Sequence, residues 1–563
     1  MEKTVKMNGA EILLNCLVEQ GVDTVFGYPG GTILNIYDEL YKFGGKIKHY
    51  LTAHEQGAAH AADGYARATG KVGVCFATSG PGATNLVTGI ATAHMDSVPV
   101  VAITCNVAKN LLGRDTFQEV DITGITMPIT KHNFIVTDAA ELADTVREAF
   151  YIARSGRCGP VLIDITKDAT AQITDYAPQK PLEYRPTCEC GGDALEKAAA
   201  LLNGAKKPFV VSGGGVIASG AEKELKEFVD KLNCPVSSTM MGLGSYPTTD
   251  EKFTGMIGMH GTKASNIGIN SADVVVAIGM RFSDRVTSNT AKFVKNAKII
   301  HIDIDAAEIC KNVQIAQELV GDAKEVLKAL NAKIRPAGDG AFLKEISAYK
   351  AEFPHKDSES APLNPEYILK KIYEFTDDKA VLTTEVGQNQ LWTAQFGKYL
   401  RPRSLITSGG LGTMGFGTGA AMGAKVGLGD RYSVIAIAGD GSFRMNCNEL
   451  CTLQYYHIPV IIVIMDNHVL GNVRQWQTMF YGKRYSETTL TERGPDFVKL
   501  ADAYGIDGYR AANKAEFDAA LKSALEKNAP AVIDAEIDID DFVLPMVAPG
   551  KAINEIMSEK PKL

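Results

Sequence analysis

Short apolar runs alternate with helical patterns along almost the whole sequence, and this alternation restricts the possible fold more than any other feature. The runs are continuously apolar, as expected for strands of parallel sheets that helices cover on both faces. We therefore predict an α/β protein built on parallel sheets flanked by helices. Eight runs are predicted strands: VGVCFA (72–77), VPVVAIT (98–104), GPVLIDI (159–165), PFVVSG (208–213), DVVVAIG (273–279), AKIIHIDI (297–304), YSVIAIA (432–438) and PVIIVIM (459–465).

Two stretches rich in proline and charge interrupt the alternation, at residues 174–193 and 335–365. Such a composition is typical of linkers between domains. A chain of 563 residues is long enough for three domains of ordinary size. We therefore predict three α/β domains, at residues 1–170, 191–340 and 363–550.

Charge and cysteine usage narrow the class of protein. The net charge of −8, without a long basic block, argues against a nucleic-acid partner. No apolar run reaches the length of a membrane span, and residues 1–21 fit an amphipathic helix capped by Asn8 rather than a signal peptide. The ten cysteines are scattered, and the close pair Cys188 and Cys190 lacks nearby histidines, so free thiols are expected. We predict a cytoplasmic protein with no membrane or nucleic-acid partner.

One carboxylate and one carboxamide follow two of the predicted strands. Asp440 lies in Gly439-Asp440-Gly441 after the run at 432–438, and Asn467 follows the run at 459–465. The segment between them is long enough for one crossover helix, which would make the two strands neighbours. Ligands of open parallel sheets bind at the carboxyl ends of the strands, and two oxygen donors there suit Mg²⁺ held together with a phosphate. The alternative is a strand that ends in a solvated Asp turn.

These residues also carry a resemblance. GDG followed by Asn467 resembles the thiamine-diphosphate motif, and the chain as a whole is similar to the acetolactate synthase family. The resemblance implies a thiamine-diphosphate-binding fold of three domains: a pyrimidine-binding domain, a central FAD-binding domain and a diphosphate/Mg²⁺-binding domain. The other matching motifs are YPGG (28–31), HEQGAAHAADGYARATG (54–70), SGPGATN (79–85), FQE (117–119), GLGTMGFG (410–417), VRQWQ (473–477), FYGKRYSET (480–488) and VLPMVAPG (543–550).

The resemblance implies roles for residues of the N-terminal domain. Glu55 matches the glutamate that hydrogen-bonds the aminopyrimidine ring and takes part in acid–base chemistry. Without the resemblance, a surface or capping Glu would be the alternative. Gly31 and Gln118 match an oxyanion pocket for the ketoacid, a type of donor set that stabilises developing charge. Lys167 is a further catalytic candidate, and Phe117 a substrate contact.

The C-terminal domain supplies the remaining thiamine-diphosphate candidates. Met414 matches the residue that bends the cofactor into a V, although a core methionine is the alternative. The carbonyl of Val469 joins the predicted Mg²⁺ ligands Asp440 and Asn467. Three positions depart from the family pattern: Asn389 replaces His, Asn472 replaces Met and Asp466 replaces Asn. The predicted cofactor contacts besides Glu55 and Met414 are Gly387, Gln388, Asn389, Gly412, Gly441 and Ser442.

The middle of the chain resembles the FAD-binding domain of the same family. Its Gly213-Gly214-Gly215 follows a predicted strand, but the spacing is not GxGxxG, so a tight strand–helix turn is the alternative. The flavin is expected to be structural because the reaction has no net redox step. The predicted FAD contacts are Arg157, Gly213, Gly214, Gly215, Thr239, Met240, His260, Gly279, Arg281, Arg285, Asp303, Ile304, Asp322 and Ala323.

The resemblance implies a carboligase. Pyruvate is decarboxylated on thiamine diphosphate, and its two-carbon unit is transferred to a second pyruvate, giving 2-acetolactate, or to 2-ketobutyrate, giving 2-aceto-2-hydroxybutyrate. Trp476, Met259 and Arg285 are expected to form the acceptor pocket, although Trp476 could instead be a core anchor. A flavin-dependent oxidoreductase of the pyruvate oxidase kind, and a homologue that binds cofactor without turnover, are the alternatives. A homodimer or homotetramer with active sites at subunit interfaces, and a small regulatory subunit, are expected partners.

Overall fold

The computed structural model describes residues 4–188, 190–336 and 340–560, and it contains three parallel sheets of six strands each. Parts of both predicted linkers (residues 189 and 337–339) and both chain ends (1–3 and 561–563) lie outside the described residues. The eight predicted strands all occur, within one or two residues of the predicted bounds, and the predicted α/β fold class is confirmed. No helix of the described ranges is long and apolar enough to cross a membrane.

The N-terminal domain contains a six-stranded sheet in the order β3-β2-β4-β5-β7-β6, with β1 and β8 paired antiparallel beside it. Asn8 caps the first helix, as predicted, and its side chain accepts the amide of Glu11 at 2.9 Å. The elements are β1 (Val5–Asn8), α1 (Gly9–Glu19), β2 (Thr24–Gly27), α2 (Leu34–Lys42), β3 (Lys48–Leu51), α3 (Glu55–Thr69), β4 (Gly73–Ala77), α4 (Pro81–Asn85), α5 (Val87–Met95), β5 (Val100–Asn106), α6 (Ile122–Thr126), β6 (His132–Val136), α7 (Ala139–Arg154), β7 (Val161–Thr166), α8 (Lys167–Ala171) and β8 (Ile173–Tyr176).

The central domain has the strand order β11-β10-β9-β12-β13-β14, with all neighbours parallel. This is the doubly wound 3-2-1-4-5-6 order, whose ligand crevice lies between the first and fourth strands. Its elements are α9 (Gly192–Asn203), β9 (Pro208–Ser212), α10 (Gly214–Ser219), α11 (Glu222–Leu232), β10 (Val236–Ser238), β11 (Phe253–Met256), α12 (Lys263–Ser271), β12 (Val274–Ile278), α13 (Asp284–Thr287), β13 (Lys298–Asp303), β14 (Gln317–Val320), α14 (Ala323–Asn331) and α15 (Ala341–Ser347).

Part of the second predicted linker is structured. Helix α15 falls within residues 335–365, and its Phe342 and Ile346 are buried against Phe209 and Val275 of the central sheet. The helix has only seven residues, so its spacing of apolar residues could not be distinguished in the sequence from the composition of a charged linker.

The C-terminal domain has the strand order β16-β15-β17-β18-β20-β19, also all parallel, followed by a small antiparallel pair, β21-β22. Its elements are α16 (Pro365–Phe375), β15 (Ala380–Thr384), α17 (Gln388–Phe396), β16 (Leu405–Ile406), α18 (Gly417–Leu428), β17 (Ser433–Gly439), α19 (Asp440–Phe443), α20 (Leu450–Tyr455), β18 (Val460–Asp466), α21 (Gly471–Phe480), α22 (Phe497–Ala503), β19 (Asp507–Ala511), α23 (Lys514–Lys527), β20 (Ala531–Glu536), β21 (Met546–Val547) and β22 (Ile556–Met557).

Close packing of α3 on α18 joins the N- and C-terminal domains. Glycines let the two backbones meet: a Cβ at Gly64 would lie 2.1 Å from the carbonyl oxygen of Ala420, and one at Gly423 would lie 1.8 Å from that of Ala61. Helix α3 begins at Glu55, and α18 begins directly after the loop that carries Met414. The contact therefore fixes two parts of the predicted site relative to each other.

Candidate active site

Three loops meet at the carboxyl end of the N-terminal sheet. The hydroxyl of Thr32, which follows Gly31, donates to the carbonyl of Cys105 at 2.7 Å, and the amide of Ser79 donates to that hydroxyl at 3.1 Å. Gly31 therefore lies beside the loop that follows β4. Gln118 packs on the same loop, because a Cβ at Gly80 would lie 3.0 Å from its Cα atom. The structure thus brings the two predicted oxyanion residues to one place.

Glu55 lies next to the helix that continues from this loop. The Asn85 side chain donates to Glu55 Oε2 at 3.0 Å, and a Cβ at Gly82 would lie 3.2 Å from Oε1. The carboxyl is buried although it has no lysine or arginine partner in the part of the chain that is described. One oxygen is therefore held by an amide, and the other faces a position without a side chain.

Two further predicted residues at this edge are exposed. Phe117 has a side chain that is 88% exposed, next to Gln118. Lys167 begins α8, and its carbonyl accepts the side chain of Asn35 at 3.3 Å. An apolar ring left in solvent beside a catalytic candidate is a surface that a substrate or a second chain would cover.

The predicted adjacency of the strands before Asp440 and Asn467 is confirmed, because β17 pairs with β18 in parallel. Burial, together with the neighbouring carboxylate of Asp466, raises the pKa of Asp440 above its usual range. Ligand atoms of Asp440, Asp466 and His468 lie within 4.8 Å of one another. Two buried carboxylates this close favour a bound cation, and the sequence reasoning did not assign Asp466 or His468 to this group.

Carboxamides surround the predicted metal position. The side chain of Asn467 donates to Gln388 Oε1 at 3.0 Å, and Gln388 donates in turn to Gln475 Oε1 at 3.0 Å. The Oδ1 atom of Asn389 is buried and has no hydrogen-bond partner among residues 4–188, 190–336 and 340–560. An orphaned polar atom of this kind fits a site completed by a polar ligand.

Glycine and small residues leave room for the diphosphate on the same edge. Gly387 has φ = 143° and no atom within 4 Å of its missing Cβ. The Ser442 hydroxyl donates to the carbonyl of Gly439 at 3.2 Å, and Gly441 packs on Leu470. Val469 is buried and pairs with Thr489 in a single bridge. The donor set therefore fits Mg²⁺ and diphosphate.

A cavity of 1490 Å³ extends from the central domain to the C-terminal domain. The predicted flavin residues line it, with the exception of Gly213. Gly213, and Gly215 in addition to lining the cavity, allow close backbone packing, because Cβ atoms there would lie 2.1 Å and 2.7 Å from atoms of Gly279. Only Gly214 of the triplet is free of such contact with Gly279, so the tight-turn interpretation accounts for the other two. The cavity opens at the switch point of the doubly wound sheet.

Polar groups in this cavity lack partners or are paired within the protein. The Nε2 atom of His260 is buried and unpaired within the described ranges, and burial lowers the pKa of His260 to about 4. Burial also raises the pKa of Asp303 to about 6. Arg157 donates to Glu308 at 2.7 Å and to Ser97 at 2.8 Å. These donors and acceptors fit a large polar ligand such as FAD.

The remaining flavin candidates form the cavity wall. The Thr239 side chain accepts the amide of Gly242, and Asp322 accepts the amide of Lys324 at 3.0 Å. The other predicted wall residues are Met240, Arg281, Ile304 and Ala323.

The predicted acceptor residues lie together at the end of the cavity near the C-terminal domain. Trp476 and Met259 pack in one cluster with Phe542, Leu544 and Met546. The guanidinium of Arg285 lies 3.4 Å from the sulfur of Met259. Asn472 lines the same region, and its buried Oδ1 has no partner in the described parts of the chain. Gly387 and Gly412 line the cavity as well, which connects it with the predicted thiamine-diphosphate residues.

Comparison with known proteins identifies the family. Three family models match: the N-terminal TPP binding domain of thiamine pyrophosphate enzymes at residues 7–125, their central domain at 195–330, and their C-terminal TPP binding domain at 385–535.

Full-length relatives give a narrower assignment. The chain is 47% identical to a probable acetolactate synthase large subunit of Methanocaldococcus jannaschii, over 98% of this chain and 95% of the relative. It is 45% identical to a probable acetolactate synthase large subunit of Methanococcus aeolicus, with the same coverage of each chain. It is 43% identical to the acetolactate synthase large subunit of Haemophilus influenzae, over 99% of both chains. The chain therefore belongs to the acetolactate synthase large-subunit family of thiamine pyrophosphate enzymes.

Proposed function

We propose that this protein joins two 2-ketoacids: it decarboxylates pyruvate and transfers the two-carbon unit to a second pyruvate or to 2-ketobutyrate. The products are 2-acetolactate and 2-aceto-2-hydroxybutyrate, at the first common step of branched-chain amino acid biosynthesis. The chain is related to acetolactate synthases over its full length. The observation that carries the proposal is one cavity that connects the acceptor cluster with the predicted thiamine-diphosphate loops.

Glu55 exchanges a proton with the cofactor in this proposal. Thiamine diphosphate, when bound, supplies the electron sink for decarboxylation and carbon–carbon bond formation. Asn85 holds one oxygen of Glu55, which leaves the other to exchange a proton with the aminopyrimidine ring nitrogen.

The C-terminal domain holds the anionic end of the cofactor. Asp440, Asn467 and the carbonyl of Val469 would hold Mg²⁺, which offsets the charge of two neighbouring buried carboxylates. Gly387, Gln388 and the residues after β17 would bind the diphosphate through backbone amide donors, since the side-chain NH₂ of Gln388 already donates to Gln475 and to the carbonyl of Asp541. The role of Asp466 is to add negative charge beside the metal, not to replace a ligand.

Substrate binding is divided among the three domains. The amide of Gly31 and the side chain of Gln118 are donors for the oxygen of the ketoacid, where negative charge develops. Arg285 attracts the carboxylate of the acceptor, and Met259 and Trp476 contact its alkyl group. This division places polar groups at the reacting carbon and apolar groups at the variable part of the acceptor.

The flavin has a structural role in this proposal. The net reaction moves no electrons, so FAD would act by filling the 1490 Å³ cavity and pairing with His260 and Asp303. A flavin analogue with altered redox chemistry that still binds, such as 5-deaza-FAD, is therefore expected to support carboligation. Loss of carboligation with the bound analogue would contradict this role.

The proposal also includes an oligomeric state. Phe117 and Met445 are exposed apolar side chains near the proposed site, which supports a homodimer or homotetramer with active sites at subunit interfaces. The relatives are named large subunits, which supports a small regulatory partner. We also propose a cytoplasmic location.

The direct test is acetolactate formation from pyruvate by the purified chain with thiamine diphosphate, Mg²⁺ and FAD. Glu55→Gln is expected to lower turnover at least about a hundredfold, the lower end of general acid–base contributions. Glu19→Gln is a matched control, because Glu19 is a buried carboxylate bound by Arg147, outside the proposed site. Near-wild-type turnover in Glu55→Gln would overturn the assignment, and flavin reduction without acetolactate would indicate an oxidoreductase.

Magnesium binding is tested separately. Asp440→Ala is expected to abolish the Mg²⁺-dependent part of thiamine-diphosphate binding, since it removes a ligand of the cation. Equilibrium dialysis with and without Mg²⁺ measures this part. Equal dependence on Mg²⁺ in the variant and the wild type would contradict the metal assignment.

A further inference from the structure

A loop of ten residues carries Met414 and joins β16 to α18. We call residues 408–417, SGGLGTMGFG, the Met414 loop. Half of its residues are glycine, and Gly412 and Gly415 have φ of 72° and 90°. A backbone of this composition has large conformational freedom of its own. Apart from one internal hydrogen bond, from the amide of Thr413 to the hydroxyl of Ser408, the contacts that restrain the loop come from outside it.

A carboxylate of the N-terminal domain holds the first half of the loop. Asp96, just after α5, has a fully buried side chain that accepts the amide of Gly410 at 2.7 Å and that of Gly409 at 3.0 Å. Arg67 donates to the same carboxylate at 3.0 Å, which offsets its charge. The hydroxyls of Thr92 and Thr413 add a hydrogen bond at 2.7 Å between the same two segments.

A carboxylate of the C-terminal domain holds the second half. Glu385 follows β15 and is buried, and its two oxygens accept the amide of Gly415 at 2.6 Å and that of Gly417 at 2.8 Å. No lysine or arginine pairs with it within residues 4–188, 190–336 and 340–560. Burial raises the pKa of Glu385 to about 7, because its charged form, without a cation partner among these residues, is costly unless several donors satisfy it. Here the donors are the backbone amides on the far side of Met414.

The chemistry of these contacts requires carboxylates. Each accepts from two backbone amides, and a carboxylate offers acceptors on both oxygens. A carboxamide would turn its NH₂ group toward one of the amides and leave that amide unpaired. Replacement of either acid by its amide therefore removes restraint from the loop while keeping the size of the side chain.

We propose that Asp96 and Glu385 are positioning residues that clamp the Met414 loop from both sides and set its shape before the cofactor binds. This proposal rests on the proposed function, in which Met414 braces thiamine diphosphate. A loop ordered in advance does not lose its conformational freedom at the binding step, so the clamp increases cofactor affinity. Because the two carboxylates come from different domains, the clamp also makes the loop dependent on the packing of α3 against α18.

Hydrogen exchange of the full-length protein without cofactors tests the clamp directly. In Glu385→Gln and in Asp96→Asn, the amides of residues 409–417 are expected to exchange at least about tenfold faster than in the wild type. Glu19→Gln is the matched control, since Glu19 accepts the amide of Gln179 and two donors of Arg147 far from the loop. Unchanged loop exchange in the folded variants, as in the control, would overturn the proposal.

A milder variant covers the case in which both amide variants fail to fold. Thr92→Val keeps the shape of the side chain and removes the bond to Thr413, together with one bond inside α5 to the carbonyl of Thr88. It is expected to accelerate exchange in the loop about threefold, with β17 amides unaffected, and no acceleration would count against the clamp. For a folded Glu385→Gln protein, isothermal titration with thiamine diphosphate and Mg²⁺ gives a second readout: an affinity weakened about tenfold is expected, and an unchanged affinity would count against the clamp.

The two proposals fail in distinguishable ways. Exchange of the cofactor-free chain does not depend on any reaction, so an inactive protein with a restrained loop would refute the carboligase assignment alone. An active wild type whose variants keep a restrained loop would refute the clamp alone.

Discussion

Trp476→Leu is expected to lower the preference for 2-ketobutyrate over pyruvate as acceptor, while acetolactate formation continues. The indole lines the cavity and packs with Met259 and Met546 on one side of the acceptor end. The two acceptors differ by one methylene, which this apolar wall would cover. Leucine leaves part of that wall missing without introducing a charge or a polar group.

The size of the effect follows from the contacts that remain. One methylene in a fitted apolar pocket is worth about 1–3 kcal/mol, or roughly 10–200-fold in discrimination. Simple burial of a methylene contributes about 0.8 kcal/mol. Because Met259 stays in place and retains part of the contact, the lower end applies. We expect the product ratio to fall about four- to tenfold, from the value for simple methylene burial to the lower end of the discrimination range.

A competition assay measures this ratio directly. The enzyme is given pyruvate and 2-ketobutyrate together, and the two acetohydroxyacids are quantified, so the ratio is independent of the active fraction. Phe480→Leu is the matched control: its ring stacks edge-on against Trp476 with centroids 5.4 Å apart, but Phe480 is 40% exposed and does not line the cavity. An unchanged ratio in a folded, active Trp476→Leu protein would show that the tryptophan only supports the core.

Two other expected outcomes concern the domain contact and the flavin. Gly423→Ala should destabilise the protein by about 1–3 kcal/mol or more, because the new Cβ would clash with a backbone oxygen of α3 that cannot move away. Gly192→Ala should instead stabilise the protein by about 0.4–1 kcal/mol, because Gly192 is the first residue of α9 and has open space around its Cβ position. Denaturant unfolding of the two variants compares them, and equal stability would contradict the close packing of α3 and α18. FAD binding should weaken as pH falls through about 6, since Asp303 then takes up a proton and loses an acceptor for the ribose hydroxyl. Fluorescence titration should show this pH dependence in the wild type and a weak, flat affinity in Asp303→Asn; the same slope in both would assign the titration to another group.

The sequence predicted the interior of each sheet better than its edges. All eight predicted strands are interior strands, whereas β3, β6, β11, β14, β16 and β19, which form the six sheet edges, were not predicted. Edge strands are covered on fewer sides, so residues such as those of Lys48–Leu51 and His132–Val136 carry polar side chains and lose the continuous apolar pattern. The continuous apolar pattern depends on burial, so it is weakest in the edge strands, which are the least buried.

The candidate site divides in the same way. Asp440 and Asn467 could be predicted because each directly follows a buried strand, so local sequence fixes their place at the sheet edge. Asp96 could not, because it acts on backbone amides 313 and 314 residues further along the chain, and backbone amides have no sequence signature. Glu385 is closer, 30 residues from Gly415, but its burial depends on the fold of the loop above it.

The N- and C-terminal sheets have the same strand order when the strands of each sheet are counted along the chain. The second of the six strands (β3 or β16) forms one edge, and the fifth (β6 or β19) forms the other. One topology therefore serves two different chemical tasks. In the N-terminal domain the carboxyl edge carries the buried carboxyl of Glu55, which accepts the side-chain amide of Asn85 and to which we assign the proton transfer. In the C-terminal domain the same edge carries Asp440 beside Asp466, a concentration of negative charge that suits a cation and a phosphate. In the proposed function, the side chains at the strand ends, and not the sheets, determine which task each domain performs. The α3–α18 contact fixes the start of α3 at Glu55 relative to the Met414 loop within one chain.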